Sequence, residues 1–136
     1  MTRSALRLLL TMAVVLVLPL VACGVSDEDD VRSASEDFVA AFKDENWAEV
    51  CSLLTERSKV QVERAGKVLQ AEGGCEEVWE KTFKLIDDKA KQRLEDFEIE
   101  SVKVEGDRAT VTSAQAKGDP ARLRKEDGEW RLDFEG

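Results

Sequence analysis

The sequence contains no histidine and no tyrosine, and it has only two prolines and three cysteines among its 136 residues. The lack of histidine excludes an imidazole base, a Ser-His-Asp or Cys-His nucleophile pair and a histidine-bearing zinc site. Basic residues are also few, because 20 Lys and Arg stand against 29 Asp and Glu, a net charge of −9. Proteins that bind nucleic acid need a basic stripe, so this balance argues against such a partner.

Motifs that carry chemistry are lacking as well. There is no phosphate-cradling glycine loop, no nucleophile elbow and no paired-carboxylate metal motif. We therefore predict no cofactor, no metal site and no catalytic residue. A single carboxylate could still act as a base if burial raised its pKa. Asp37, Glu49, Asp96 and Glu98 all fit exposed faces or helix caps, so the sequence does not favour any of them.

The first 22 residues have the pattern of a secretory signal peptide. Two arginines form a positive n-region, and the apolar h-region of residues 8–18 meets Pro19 before it reaches the roughly 20 residues that cross a bilayer. Residues 20–23, Leu-Val-Ala-Cys, resemble the lipobox of bacterial lipoproteins. The resemblance implies cleavage before Cys23, a diacylglyceryl thioether on its sulfur and an acyl chain such as palmitate on its amine. The alternative is an ordinary secretory signal in which Cys23 is incidental.

The lipoprotein resemblance implies a protein on the outer face of the cytoplasmic membrane, with the membrane itself as a partner through the lipid anchor. Buried acyl chains contribute about 0.8 kcal/mol per methylene, so two chains hold a protein firmly. We interpret residues 23–30 as the lipidated cysteine and an acidic tether. The same acidic run also suits the N-terminus of a first helix. Residues 31–136 are then long enough for a single domain.

If Cys23 carries lipid, Cys51 and Cys75 remain as a pair. An even pair of cysteines in an exported protein indicates a disulfide bond. The alternatives are two free buried thiols or a metal site, although two cysteines without histidine make a poor ligand set. The loop-entropy model assigns such a bridge about 3.5 kcal/mol.

The spacing of apolar residues is helical from residue 30 to about residue 94, and it changes to the alternation of strands at Phe97. The pattern predicts helices over 31–42, 47–54, 55 or 58 to 71, and 75–86, while the charged segment 87–94 suits either a helix or a loop. The third helix is predicted to turn inward Val62, Ala65, Val68 and Leu69. Four strands follow, with a bulge near Ser101 and with Trp130, Leu132 and Phe134 on one face of the last strand. The prediction is an α+β domain in which N-terminal helices pack against a curved antiparallel sheet.

The order of these elements resembles the nuclear-transport-factor-2-like superfamily over residues 31–134. The resemblance is carried by Phe42-x4-Trp47-x2-Val50-Cys51-x2-Leu54 and by the strand segments 102–111 and 123–132. In style the chain resembles exported actinobacterial lipoproteins. The resemblance implies a cone, in which a curved sheet wraps helices around an apolar cavity. Enzymes of the superfamily use an Asp, often with His or Tyr, and this chain has neither partner, so no catalytic role is carried over.

Three tryptophans, Trp47, Trp79 and Trp130, are candidates to line such a cavity, although each also lies on the predicted inward stripe of its element, where core packing explains it. We favour a non-catalytic binding or interaction module of the cell envelope, whose partner is a protein or a small apolar ligand. The alternatives are a cyclase- or isomerase-like enzyme that uses one buried carboxylate, and a purely structural accessory of a membrane complex. An open cavity would favour a ligand or an enzyme, and a filled one an interaction or structural role.

Overall fold

The computed structural model describes residues 25–116 and 118–134, so Cys23 and the predicted signal peptide lie outside the described residues. Five α-helices and four strands follow one another within these ranges. The helices are α1 (Val25–Lys43), α2 (Trp47–Ser52), α3 (Glu56–Gly66), α4 (Gly74–Leu85) and α5 (Asp88–Glu95), with a short 3-10 turn, Lys67–Leu69, after α3. The strands are β1 (Ile99–Glu105), β2 (Arg108–Ser113), β3 (Ala121–Glu126) and β4 (Glu129–Leu132).

The four strands form one open antiparallel sheet in the order β1-β2-β3-β4, and each strand pairs with its neighbour in sequence. The predicted α+β class is therefore confirmed. The register shifts between Ile99 and Ser101, which confirms the predicted bulge. Asp127 and Gly128 join β3 to β4 and both have positive φ, as a two-residue hairpin turn of type I′ requires.

The edge of β4 is covered by the segment that follows α2. Leu54 forms a parallel bridge to Leu132, whose N–H donates to the carbonyl of Leu53 at 2.8 Å, while the N–H of Thr55 donates to the carbonyl of Leu132 at 2.9 Å. The sequence pattern assigned Leu54 to the second helix, but α2 ends at Ser52. This bridge places the N-terminus of α3 beside the end of β4.

Helix α1 begins at Val25, so residues 25–30, which the sequence analysis assigned to a tether, are the first turns of this helix. The carboxylate of Asp27 accepts hydrogen bonds from the Lys125 ammonium group at 2.7 Å and from the indole N–H of Trp130 at 3.4 Å. Acidic residues in a first helical turn also complement the helix dipole. Part of the acidic run is thus fastened to the β3–β4 hairpin.

A disulfide joins Cys51 in α2 to Cys75 in the first turn of α4, with the two Cα atoms 6.2 Å apart. The predicted bridge is therefore confirmed. Both cysteines belong to the core cluster of buried apolar side chains that lies between the helices and the sheet. An adjoining cluster is aromatic: neighbouring ring centroids in it lie 5.3 to 6.3 Å apart, and its members are Phe38, Phe42, Trp47, Trp79 and Phe83.

The third helix is shorter than predicted, and only part of its predicted inward face is buried: Val62 is buried and Leu69 packs against the core. Ala65 is exposed and Val68 is 87% exposed, whereas Gly66 is buried. A Cβ atom at Gly66 would lie 2.2 Å from Cγ2 of Val78, so the glycine allows α3 to approach α4 closely. The inward face is therefore Ser58, Val62 and Gly66, a stripe of small residues that apolar spacing does not reveal.

Candidate functional site

A cavity of about 700 Å³ opens between the inner face of the sheet and helices α1, α4 and α5. This volume lies within the range of pockets that hold small molecules. Most of its lining is apolar. The helices contribute Phe38, Phe42, Trp79, Ile86 and Leu94, and the sheet contributes Val111, Ala121 and Leu132.

The polar side chains of the cavity wall are mostly bonded to the chain itself. The hydroxyl of Ser35 donates to the carbonyl of Val31 at 2.8 Å, and the hydroxyl of Thr82 donates to the carbonyl of Val78 at 2.7 Å. Such side-chain bonds to the preceding helical turn are local and satisfy the hydroxyl proton. The interior therefore suits an apolar ligand better than a polar one.

The connection between β2 and β3 is also held by hydrogen bonds between side chains and the backbone. The amide side chain of Gln115 accepts a hydrogen bond from the N–H of Glu98 at 3.0 Å and donates one to the carbonyl of Asp96. Ser113 accepts a hydrogen bond from the N–H of Ala116 at 3.2 Å. These bonds hold the loop against the segment that follows α5.

Asp133 lines the cavity and is only 6% exposed, but its carboxylate is engaged elsewhere. One oxygen lies 3.2 Å from Nε of Arg124 and 3.4 Å from a terminal guanidinium nitrogen of Arg57. The other lies 3.4 Å from each of the hydroxyls of Thr55 and Ser58 in the N-terminal turn of α3. With two cations and two hydroxyls around it, Asp133 serves as the centre of an ion-pair network rather than as a free base for a bound ligand.

The sequence pattern does not predict that Asp133 is buried. Alternation along β4 places it opposite Leu132 and thus toward water, and its burial depends on the α3 terminus that the Leu54 bridge brings there. The strand also ends at Leu132, two residues earlier than its pattern predicts. Phe134 is consequently 43% exposed, although its ring lies 6.0 Å from that of Trp79. The one sequence feature that could have drawn attention to Asp133 is its place between two large apolar residues, Leu132 and Phe134, at the end of a strand.

The four carboxylates that the sequence analysis weighed, Asp37, Glu49, Asp96 and Glu98, are all exposed, and none of them lines this cavity.

The three tryptophans occupy different environments. Trp79 lines the cavity, and its buried indole N–H has no hydrogen-bond partner among the described residues. Trp47 packs instead against Phe42 and Phe83, with 5.3 Å between ring centroids in each case. Trp130 is 5% exposed and lines a second, more polar cleft of about 580 Å³. The structure thus brings only Trp79 of the three to the apolar cavity.

Three charged residues, Arg93, Asp119 and Arg122, line the mouth of the cavity and are exposed. None of them forms an ion pair within the described ranges. Arg93 lies on α5, which is fastened to α1 by an ion pair of 2.9 Å between Lys43 and Glu95. The ammonium group of Lys91 also lies 5.0 Å from the centre of the Phe83 ring. Helix α5 thus forms one wall of the cavity, and these contacts attach it to α1 and α4.

The described part of the chain contains no group of three or more Cys, Asp or Glu side chains placed to hold a metal ion. None of the helices described there is long and apolar enough to cross a bilayer. Comparison of the chain with protein-family models, with curated proteins and with solved structures found no match. A functional assignment therefore rests on the chemistry of the cavity itself.

Proposed function

We propose that this protein is a lipid-anchored lipoprotein on the outer face of the cytoplasmic membrane, with a nuclear-transport-factor-2-like domain that binds a small apolar ligand without catalysis. The observation that carries the proposal is the open cavity of about 700 Å³ with aromatic and aliphatic walls. Apolar walls with few polar groups are the usual composition of a small-molecule site. The lipobox-like residues 20–23 support the anchor.

The arrangement of elements supports the fold assignment. Helices come first and a four-stranded antiparallel sheet follows, with an apolar cavity between the two layers. Where many members of the superfamily have a short strand pair between the second and third helices, this chain has the single bridge of Leu54 to Leu132. The cavity and the order of elements agree with the superfamily's cone, and the missing strand pair is a departure from it.

Binding without catalysis is favoured by the state of the polar groups. Acid–base catalysis needs a titratable group within hydrogen-bond reach of the ligand. The buried carboxylate of Asp133 is held by Arg57 and Arg124, and the hydroxyls of Ser35 and Thr82 donate to backbone carbonyls. A ligand in the cavity would therefore meet walls that hold it and no buried free base, since Asp119, the lining carboxylate without an ion pair among the described residues, is exposed at the mouth.

The proposal is tested with N-phenyl-1-naphthylamine, an uncharged dye that fluoresces in apolar sites, on the chain from residue 24 onward. We expect saturable binding by one dye per chain. Ala121 lines the cavity, so Ala121→Phe fills part of it and should weaken binding at least tenfold. Ala65→Phe is the matched control, because Ala65 is exposed and lies outside the cavity lining. No saturable binding by a folded chain would contradict the proposal.

A further inference from the structure

We infer that the ligand is a single-chain amphiphile with an anionic headgroup, whose chain lies in the apolar cavity and whose headgroup binds Arg93 at the mouth. The inference rests on the proposed function and goes further by naming the class of ligand. It draws on two features together, namely an interior that offers no charge to a ligand and a mouth that offers a cation.

The first feature is the interior. Its walls are mostly apolar, the hydroxyl protons of Ser35 and Thr82 are bonded to the chain, and its buried carboxylate is paired with two arginines. A charged group placed there would lose its hydration and would find little compensation beyond the indole N–H of Trp79, which has no partner among the described residues. The part of a ligand that enters is therefore a hydrocarbon chain, and each buried methylene should tighten binding roughly threefold to fourfold.

The second feature is the position of Arg93. Helix α5 turns Ala90, Arg93 and Leu94 toward the cavity, the i, i+3 and i+4 positions of one helix face. The acids that follow Arg93 are engaged elsewhere: Glu95 pairs with Lys43 at 2.9 Å, and Asp96 accepts hydrogen bonds from Gln92 at 3.1 and 3.2 Å. Arg93 thus keeps its charge available beside an apolar wall in a strongly acidic chain. Arg122 on β3 is a second exposed base in the same lining.

The guanidinium group is well suited to this role. Its donors form a planar fork that binds a carboxylate or a phosphate through two parallel hydrogen bonds. Its aliphatic stem can lie along apolar surface while the charged end stays in water, which suits the rim of a hydrophobic cavity. Carboxylate and phosphate headgroups share this chemistry, so the experiment compares the two.

Asp119 is the opposing charge at the mouth, on the connection between β2 and β3. Its carboxylate should repel an anionic headgroup and would attract a cationic one. The two residues therefore make opposite predictions. Neutralising Arg93 should weaken the binding of an anionic amphiphile, and neutralising Asp119 should strengthen it.

The test is displacement of the naphthylamine dye from the chain from residue 24 onward by amphiphiles with the same saturated chain, used below their micelle concentrations. The set is myristate, 1-myristoyl lysophosphatidic acid, tetradecanol and tetradecyltrimethylammonium. We expect the two anions to bind about tenfold or more tightly than the alcohol. The ratio between the two anions then tells whether the headgroup is a carboxylate or a phosphate.

Arg93→Gln should weaken the binding of both anions about tenfold and leave tetradecanol unchanged, whereas Arg93→Lys should restore part of the loss. Lys89→Gln is the matched control, because Lys89 is an exposed base on the same helix that does not line the cavity. It should change nothing. Asp119→Asn should tighten the binding of the anions and weaken that of the ammonium compound.

The outcomes separate the two proposals. If neither the dye nor any amphiphile binds the folded chain, the proposed function fails. If the dye and tetradecanol bind but the anions bind no more tightly, or Arg93→Gln weakens all ligands alike, only the inference is overturned. Tightest binding by the ammonium compound would also overturn it and would assign the mouth to Asp119.

Discussion

At the scale of single residues, Asp133 shows how a polar group is kept inside an otherwise apolar region. Its backbone N–H donates to the carbonyl of Arg122 at 2.8 Å, while its carboxylate joins two arginines to the first turn of α3. Buried polar groups cost free energy unless they are bonded, and charged ones need partners of opposite sign. The network therefore depends on every member, and its loss should lower the stability of the fold rather than the affinity for a ligand.

We expect Asp133→Asn to lower the free energy of unfolding by about 2–3 kcal/mol, because it removes charge-assisted bonds and leaves two guanidinium groups without their buried counterion. The matched control is Asp119→Asn, a carboxylate at the same cavity that is exposed and forms no ion pair among the described residues. Urea unfolding of the two variants measures the difference. Equal stability of both variants would show that the network contributes nothing.

Asp27 offers a test by pH. The hydrogen bond from Lys125 lowers the pKa of its carboxyl group, with smaller help from the Trp130 indole and from the charge of Lys125, while partial burial acts in the opposite direction. Because the folded-state pKa lies below the unfolded value of about 3.9, the stabilisation is present above that pH and is lost as the pH falls through the folded-state pKa.

Asp27→Asn should therefore remove part of the loss of stability on acidification. The measurement is the free energy of unfolding of wild type and variant at pH 7 and at pH 3. The difference in this free energy between the two proteins should be smaller at pH 3 than at pH 7. Asp30→Asn serves as the control, since Asp30 is exposed on the same helix and its carboxylate has no hydrogen bond or ion pair with another described residue. A gap that stays constant with pH would contradict this account of Asp27.

At the scale of elements, α2 depends most on its surroundings. It has only six residues, far fewer than an isolated helix needs, and its N-terminus is capped by the side chain of Asn46, which accepts from the N–H of Glu49. The disulfide from Cys51 to Cys75 ties it to α4. The disulfide thus holds α2 in place, and α2 leads directly into the β-bridge of Leu54 and the N-terminus of α3.

Removing the bridge with the double variant Cys51→Ala/Cys75→Ala should lower the free energy of unfolding by roughly 2–5 kcal/mol. Reductant should destabilise the wild-type protein similarly and leave the double variant unaffected, which provides an internal control. A non-reducing peptide map of the exported protein checks the pairing directly. Two free thiols in that map would refute the bridge.

At the scale of the whole molecule, the position of α1 bears on how the domain would sit at a membrane. Asp27, four residues after Cys23, is fastened to Lys125 and Trp130. Four residues of extended chain span at most about 14 Å. If Cys23 carries the anchor, the β3–β4 hairpin lies close to the lipid headgroups rather than at the end of a long tether.

We expect mass spectrometry of the membrane-extracted protein to show a diacylglyceryl group on an N-terminal Cys23. Cys23→Ser should release the protein from the membrane, because the thioether has no sulfur to form on. Cys51→Ser keeps Cys23 and should stay membrane-bound, so it controls for effects of losing a cysteine. Membrane retention unchanged in Cys23→Ser, or a mature chain that starts elsewhere, would contradict the lipoprotein assignment.

Local pattern accounts for the order of the elements. Segment 87–94, which suited either a helix or a loop, is the helix α5, and the side chain of Asp87 caps it.

Contacts between segments that are distant in sequence determine which residues are buried and which line the cavity. The sequence alone predicts an α+β chain, a bond between Cys51 and Cys75 if Cys23 carries lipid, and the lack of groups for imidazole or phenol chemistry. Tertiary contacts are needed to show that Asp133 is buried, that Gly66 rather than Ala65 faces α4, and that Trp79 alone of the tryptophans lines the apolar cavity. The physical reason is that periodicity reports which face of an element is apolar, whereas burial depends on which other segment arrives to cover it.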